Sequence, residues 1–120
     1  MLKLSEQYCR ACQEGAPAVT DQELEALKPQ IPEWEIITEN STRKLRREYD
    51  FDDFQAALDF TVQVGEAAEE QGHHPTIITE WGSTTIIWWT HKIDDLHLND
   101  LIMAAKCDAL YQKAPDSQQS

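Results

Sequence analysis

Two β-rich runs, Thr76 to Trp81 and Thr84 to His91, are separated only by Gly82-Ser83. A two-residue connection cannot carry the crossover that parallel strands need, so the runs must return on each other as an antiparallel hairpin. Gly82-Ser83 suits a tight type II′ turn. The hairpin also sets a long-range neighbour. His91, at the far end of the second run, comes back beside the start of the first, where His73 and His74 stand.

The flanking segments read as alternating helix and strand. Thr20-Asp21-Gln22-Glu23 is a capping-box pattern that opens a short helix through Leu24, Leu27 and Lys28, and Pro29 and Pro32 stop it. Trp34 to Glu39 reads as a strand. Asn40-Ser41 makes a turn, and Arg43 to Asp50 returns antiparallel with Leu45, Tyr49 and Phe51 on one face. Asp52 can cap a long helix in which Phe54, Ala57, Leu58, Thr61, Val64 and Ala68 recur at helical spacing. Gly65 lies inside that helix, and Gly72 is placed to end it. After the hairpin, Leu98, Leu101, Ile102, Ala105 and Ala109 mark a last helix. His97 stands at its N-cap, with Asp100 as reciprocal partner.

The order helix, strand, strand, helix, strand, strand, helix predicts an α+β fold. A four-stranded antiparallel sheet carries three helices on one face, burying both apolar surfaces. The expected domain covers 20–113, preceded by an N-terminal extension over 1–19 with a break at Gly15-Ala16-Pro17, and followed by a polar tail over 114–120. An open sheet of this size leaves edges that a second copy can cover, so a homodimer is expected.

A chain of 120 residues with four tryptophans can close one core without disulfides. The formal charge of -12 argues against nucleic acid and against anionic membranes. No apolar run approaches the ~20 residues of a membrane helix, and Met1 to Gln7 lacks the apolar core of a secretory signal. A cytoplasmic location is expected. Arg43, Lys44, Arg46 and Arg47 concentrate positive charge. They read as a solvated strand whose charges discourage edge pairing, or as a patch for an acidic partner. Cys9 and Cys12 have ligand spacing, but no second close pair of ligands accompanies them. With Cys107 they read as reduced thiols.

Three of the four histidines, His73, His74 and His91, therefore converge at a helix exit, a loop position of the kind that commonly carries function. Imidazole exchanges protons near neutrality. Neighbouring imidazoles cannot all be protonated without repulsion, so one can act as base while another acts as acid. A metal reading uses the same residues, with Glu69 as a further ligand, although nothing resembles His-Glu-x-x-His. In a third reading each histidine is structural, His73 interacting with a helix dipole and His91 bonding within the sheet.

Glu69-x-x-x-His73-His74-Pro75, followed by Trp81, His91 and Asp100 at these spacings, closely resembles the signature of the pterin-4a-carbinolamine dehydratase family. Ile31-Pro32-Glu33-Trp34, Tyr49-Asp50-Phe51 and Glu80-Trp81-Gly82 add to the likeness, which covers most of the chain from Thr20 onward. Trp88 to His91, Leu96 to Asp100 and the Cys-x-x-Cys leader resemble its bacterial branch. His97 departs, standing where many relatives carry a small hydroxyl cap.

The resemblance implies dehydration of 4a-hydroxytetrahydropterin to quinonoid dihydropterin without metal or organic cofactor, the pterin being the substrate. It implies a functional link to phenylalanine hydroxylase, whose oxidised pterin the family recycles, and a dimer formed through the sheet. By carry-over, His73, His74 and His91 line the site. His73 and His91 are assigned mainly to proton transfer and His74 to binding or orienting. Glu69 orients an imidazole or binds the pterin ring, Trp34 packs beside the pterin or in the core, and Pro75 fixes the helix exit. Trp81 and Asp100 match the signature and are read as structural. The competing functions are a non-catalytic dimerisation or regulatory module and, behind it, a metal-dependent lyase.

Overall fold

The computed structural model describes residues 3–7, 9 and 17–113. Helix α1 spans Asp21–Leu27, β1 Glu35–Glu39, β2 Thr42–Asp50, α2 Phe54–Gln71, β3 Thr76–Glu80, β4 Ser83–Trp88 and α3 Leu98–Lys113. Short 3-10 helices at Leu4–Glu6 and Lys28–Gln30 complete the order. The strands form one antiparallel sheet in the order β1-β2-β4-β3. This is the expected α+β topology, with α2 and α3 packed on one face of the sheet.

Local chemistry explains each boundary. The Thr20 hydroxyl accepts from the Glu23 amide while the Glu23 carboxylate accepts from the Thr20 amide, completing the capping box on α1. Asn40 and Ser41 both adopt positive φ, 50° and 68°, as a two-residue type I′ turn requires. The second hairpin differs from expectation by one residue. Glu80 pairs with Ser83, so the turn is Trp81-Gly82, not Gly82-Ser83. Only the second central position needs positive φ, and Gly82 supplies it at 82°. Strand β4 ends at Trp88, short of His91, because the chain next closes a small loop in which Thr90 bridges Asp95.

Helix α2 is capped by Asp53, whose carboxylate accepts from the Ala56 amide, and not by Asp52. Its buried face is Ala56, Ala57, Phe60, Val64 and Ala68. Phe54 and Leu58, expected inside, are exposed and share a ridge with Val62. Small Ala57 lets the sheet come close enough for the Thr84 hydroxyl to donate to its carbonyl. Phe60 then reaches the aromatic core, 4.8 Å from Tyr49 and 5.2 Å from Phe51 between ring centroids.

Strand β2 lies between β1 and β4, so its basic residues are not edge guards. Each has an acidic partner: Arg43 with Asp95, Lys44 with Glu39, Arg46 with Glu35 and Arg47 with Asp108. The leader packs on this domain where it is described. Leu4 is fully buried, its amide donates to the Gln30 side chain, and Lys106 donates to the Ser5 carbonyl. Cys12 and the tail over 114–120 lie outside the described residues. Among the described residues, no helix is long and apolar enough to cross a membrane.

Candidate active site

Helix α2 ends in a Schellman arrangement. Gly72, at φ 66°, donates to the Glu69 carbonyl, and the His73 amide donates to that of Ala68. This left-handed turn sends His73 and His74 off the helix and into the approach to β3. Strands β3 and β4 pair Thr76 with Ile87 at the same end of the sheet, so the chain beyond Trp88 returns past the doublet. Gly72, His73, His74, Thr90, His91 and Lys92 together line a cleft of about 360 Å³. The juxtaposition expected from the hairpin is therefore present, although the turn itself sits one residue earlier.

The three imidazoles have different surroundings. His73 is largely buried, stacks on Trp88 with ring centroids 5.4 Å apart and planes 19° apart, and places Nε2 2.5 Å from Oδ1 of Asp100. His74 is exposed, with Nε2 2.7 Å from Oε1 of Glu69. His91 is exposed at the start of the loop and stacks on Trp89, centroids 4.2 Å apart and planes 29° apart.

Asp100 has no exposed surface. Its Oδ2 accepts from the Thr90 hydroxyl at 2.8 Å and from the His97 amide at 2.9 Å, while Oδ1 faces His73. A carboxylate only accepts hydrogen bonds, so the matching tautomer of His73 carries its proton on Nε2 and leaves Nδ1 as the basic lone pair. Asp100 is thus more than the structural cap expected of it. It caps α3 and holds a cleft histidine with one side chain. His97 completes the cap: its Nδ1 accepts from the Asn99 amide at 3.0 Å.

The loop that carries His91 is itself restrained. Arg43 grips Asp95 with two parallel hydrogen bonds, at 2.6 and 3.0 Å, and also donates to the Val19 carbonyl. The Arg43 hydrogen bond holds the Asp95 carboxyl below its ordinary range. Asp94 occupies positive φ, 48°, where the loop turns back.

The other expected site residues divide. Glu69 reaches the site through His74, and Pro75 follows the doublet in the chain. Trp34 lies elsewhere, outside the cleft lining. It is 1 % exposed, its indole donates to Asp108 at 3.0 Å, and its ring meets Tyr49 edge-on. Sequence reasoning missed Thr90, Trp88, Trp89 and the site role of Asp100. Asp100 had two signals, its place in the signature and its position at the N-terminus of α3 beside the hairpin end. Among the described residues, no group of three or more His, Cys, Asp or Glu side chains is placed to hold a metal ion. The Nε2 atoms of His73 and His74 each face a different carboxylate.

The family model described as Pterin 4 alpha carbinolamine dehydratase matches residues 17–110. A protein of Syntrophotalea carbinolica, provisionally named a pterin-4-alpha-carbinolamine dehydratase, is 53 % identical over 93 % of this chain and 100 % of its own length. A Nitrosococcus oceani protein of the same name is 53 % identical over 92 % of this chain and 97 % of its own. Among solved structures, a Brucella melitensis protein described as a transcriptional coactivator/pterin dehydratase superposes with a TM-score of 0.70. It is 23 % identical and covers 78 % of this chain and 98 % of that one. A pterin dehydratase-like RuBisCO assembly factor of the alpha-carboxysome gives a TM-score of 0.56 at 22 % identity, over 70 % of this chain and 92 % of that one. These two structural likenesses bear on the fold.

Proposed function

The chain belongs to the pterin-4a-carbinolamine dehydratase family, and from that premise we propose that it dehydrates 4a-hydroxytetrahydrobiopterin to quinonoid dihydropterin at the His73–His74–His91 cleft. The observation that carries the reading is the convergence of three imidazoles in three different settings around one cleft. Distinct surroundings let one imidazole take a proton while another gives one at the same pH.

The reaction removes the N5 proton of the substrate and delivers a proton to the C4a hydroxyl. Water leaves, the C4a–N5 bond becomes double, and no electrons are gained or lost. His73 and His91 handle these protons. His73 is suited to it by the buried Asp100 carboxylate, which fixes its tautomer and stabilises the charge it acquires. His74, with Glu69, binds and orients the pterin, and Pro75 fixes the path by which the doublet enters the cleft. General acid/base help of this kind is worth about 10²–10⁴ in rate. The reaction needs neither metal nor organic cofactor. In the cell the protein would act in the cytoplasm on the pterin released by an aromatic amino acid hydroxylase such as phenylalanine hydroxylase. It would act as a homodimer that covers an edge strand of the sheet.

The test mixes the protein with freshly generated 4a-hydroxytetrahydrobiopterin and follows its decay. Acceleration over buffer, reduced in His73→Ala and His91→Ala, is expected. A rate equal to buffer alone would sink the proposal.

A second reading, a non-catalytic interaction module, is favoured by the exposed ridge Phe54, Leu58 and Val62 on α2. The descriptions of the two solved neighbours also name interaction roles for those proteins. Pull-down with a hydroxylase or a regulator separates the two. Binding retained by histidine variants that have lost activity would support the second role.

A further inference from the structure

Among the described residues, carboxylates orient two of the three cleft histidines. Asp100 faces His73 and Glu69 faces His74. Among the described residues, the His91 ring is held by its stack on Trp89, with centroids 4.2 Å apart. His91 also stands at the start of an exposed loop, where an unstacked imidazole would rotate freely about two side-chain torsions. Proton transfer tolerates little misplacement, since an error of about 1 Å can cost 10²-fold. Something must hold this ring.

We propose that Trp89 is the positioning residue for His91, and that Lys44 braces Trp89 from the neighbouring strand. The proposal rests on the dehydratase reading of the cleft and adds to it a residue outside the cleft lining.

Trp89 is half-buried just beyond the end of β4. Leu45 pairs with Trp88, so the next position along sets Lys44 beside Trp89 on the open face of the sheet. The Lys44 ammonium lies 4.0 Å from the centre of the Trp89 ring, within cation–π range. The Glu39 carboxylate holds the same ammonium at 2.9 Å. A chain of contacts therefore runs Glu39, Lys44, Trp89, His91, from β1 through β2 and the end of β4 to the cleft. A flat indole limits the imidazole to rotation within its own plane. This is the restraint a proton-transferring ring needs when it must keep one nitrogen exposed. Alternation along the strand divides the labour: inward Trp88 stacks on His73, and outward Trp89 stacks on His91.

The test has two readouts. In wild-type protein the His91 ring protons, assigned by their loss in His91→Gln, should be shifted upfield by the indole ring current. Trp89→Ala should remove that shift and Trp89→Phe should keep part of it. In the decay assay, Trp89→Ala should lower kcat about 10- to 100-fold with KM nearly unchanged, because the interaction matters most where the proton moves. Trp89→Phe should recover most of the loss, and Lys44→Met should cost severalfold. The phenylalanine variant guards against misfolding of the alanine variant, as do melting curves on each. A His91 spectrum unchanged by Trp89→Ala would overturn the proposal, as would a purely KM effect or no rescue by phenylalanine. Absence of any acceleration by the wild-type protein would instead overturn the dehydratase reading, and with it the catalytic purpose of the stack. The ring-current shift is read without turnover and so separates the two failures.

Discussion

Nε2 of His73 sits 2.5 Å from Oδ1 of Asp100, a carboxylate with no solvent-exposed surface that also accepts a hydrogen bond from the His97 amide just before α3. One side chain thereby joins the start of a helix to a histidine of the cleft. Asp100→Asn tests the join. With its oxygen kept toward the Thr90 and His97 donors, the asparagine turns its NH2 on His73 and replaces a charge-assisted acceptor by a neutral one, at a cost of about 1 kcal/mol. Nε2 of His73 must then accept, which moves the ring proton to Nδ1 and removes the basic lone pair there, so the decay assay should show kcat reduced by at least about 10-fold. Denaturant unfolding and the decay assay on the same preparation check both effects.

Gly72 is the hinge on which the doublet turns. At φ 66° any other L-residue is strained, by about 1–2 kcal/mol for a residue with a Cβ. Space is not the obstacle, because a Cβ there meets no atom within 4 Å. Gly72→Ala should therefore lower the melting temperature through backbone strain alone. Gly65→Ala, inside the same helix and equally unobstructed, should raise it. Paired melting curves make the comparison.

The Arg43–Asp95 clamp predicts an acid limb in stability. Asp95 has its pKa lowered in the folded state by the Arg43 hydrogen bond. Its contribution is present above the unfolded carboxylate value of about 3.9 and is lost as pH falls through the lower folded value. Arg43→Met should remove that part of the dependence and flatten the fall in melting temperature below about pH 4. Cleft activity should fall as well, since the clamp restrains the loop bearing His91. Melting curves across an acidic pH series, with the decay assay near neutrality, separate the two consequences.

Trp34 belongs to a buried polar cluster. Its indole, the Arg47 guanidinium and the Tyr49 hydroxyl all donate to Oδ1 of Asp108. Burial pushes the Asp108 carboxyl above its ordinary range, and the Tyr49 bond and the Arg47 charge oppose this. Asp108→Ala strands three donors and should destabilise by about 3 kcal/mol. Trp34→Phe removes one donor and should cost about 1 kcal/mol while leaving KM for the pterin unchanged. A raised KM in Trp34→Phe would return this tryptophan to the binding site.

The sequence by itself determined the order and type of the elements, because their signals are local. The Thr20–Glu23 capping box, the Asn40-Ser41 turn, the Gly72 stop and the alternating runs on either side of Gly82 each depend on residues a few positions apart. It also determined that His91 would meet His73 and His74, since a two-residue turn dictates antiparallel return whichever residue begins it. Only the tertiary structure decided which face of each element is buried and which polar groups meet across the fold. Phe60 rather than Phe54 or Leu58 entered the core because the small residues of α2 had to face the sheet. Trp34 was drawn inward by a carboxylate on α3, more than seventy residues away in sequence. Asp100 and Trp89 acquired their places at the cleft through contacts that exist only once helix, hairpin and loop are packed. Periodicity records how a segment meets solvent on average; a hydrogen bond or a ring stack between distant segments leaves no such trace.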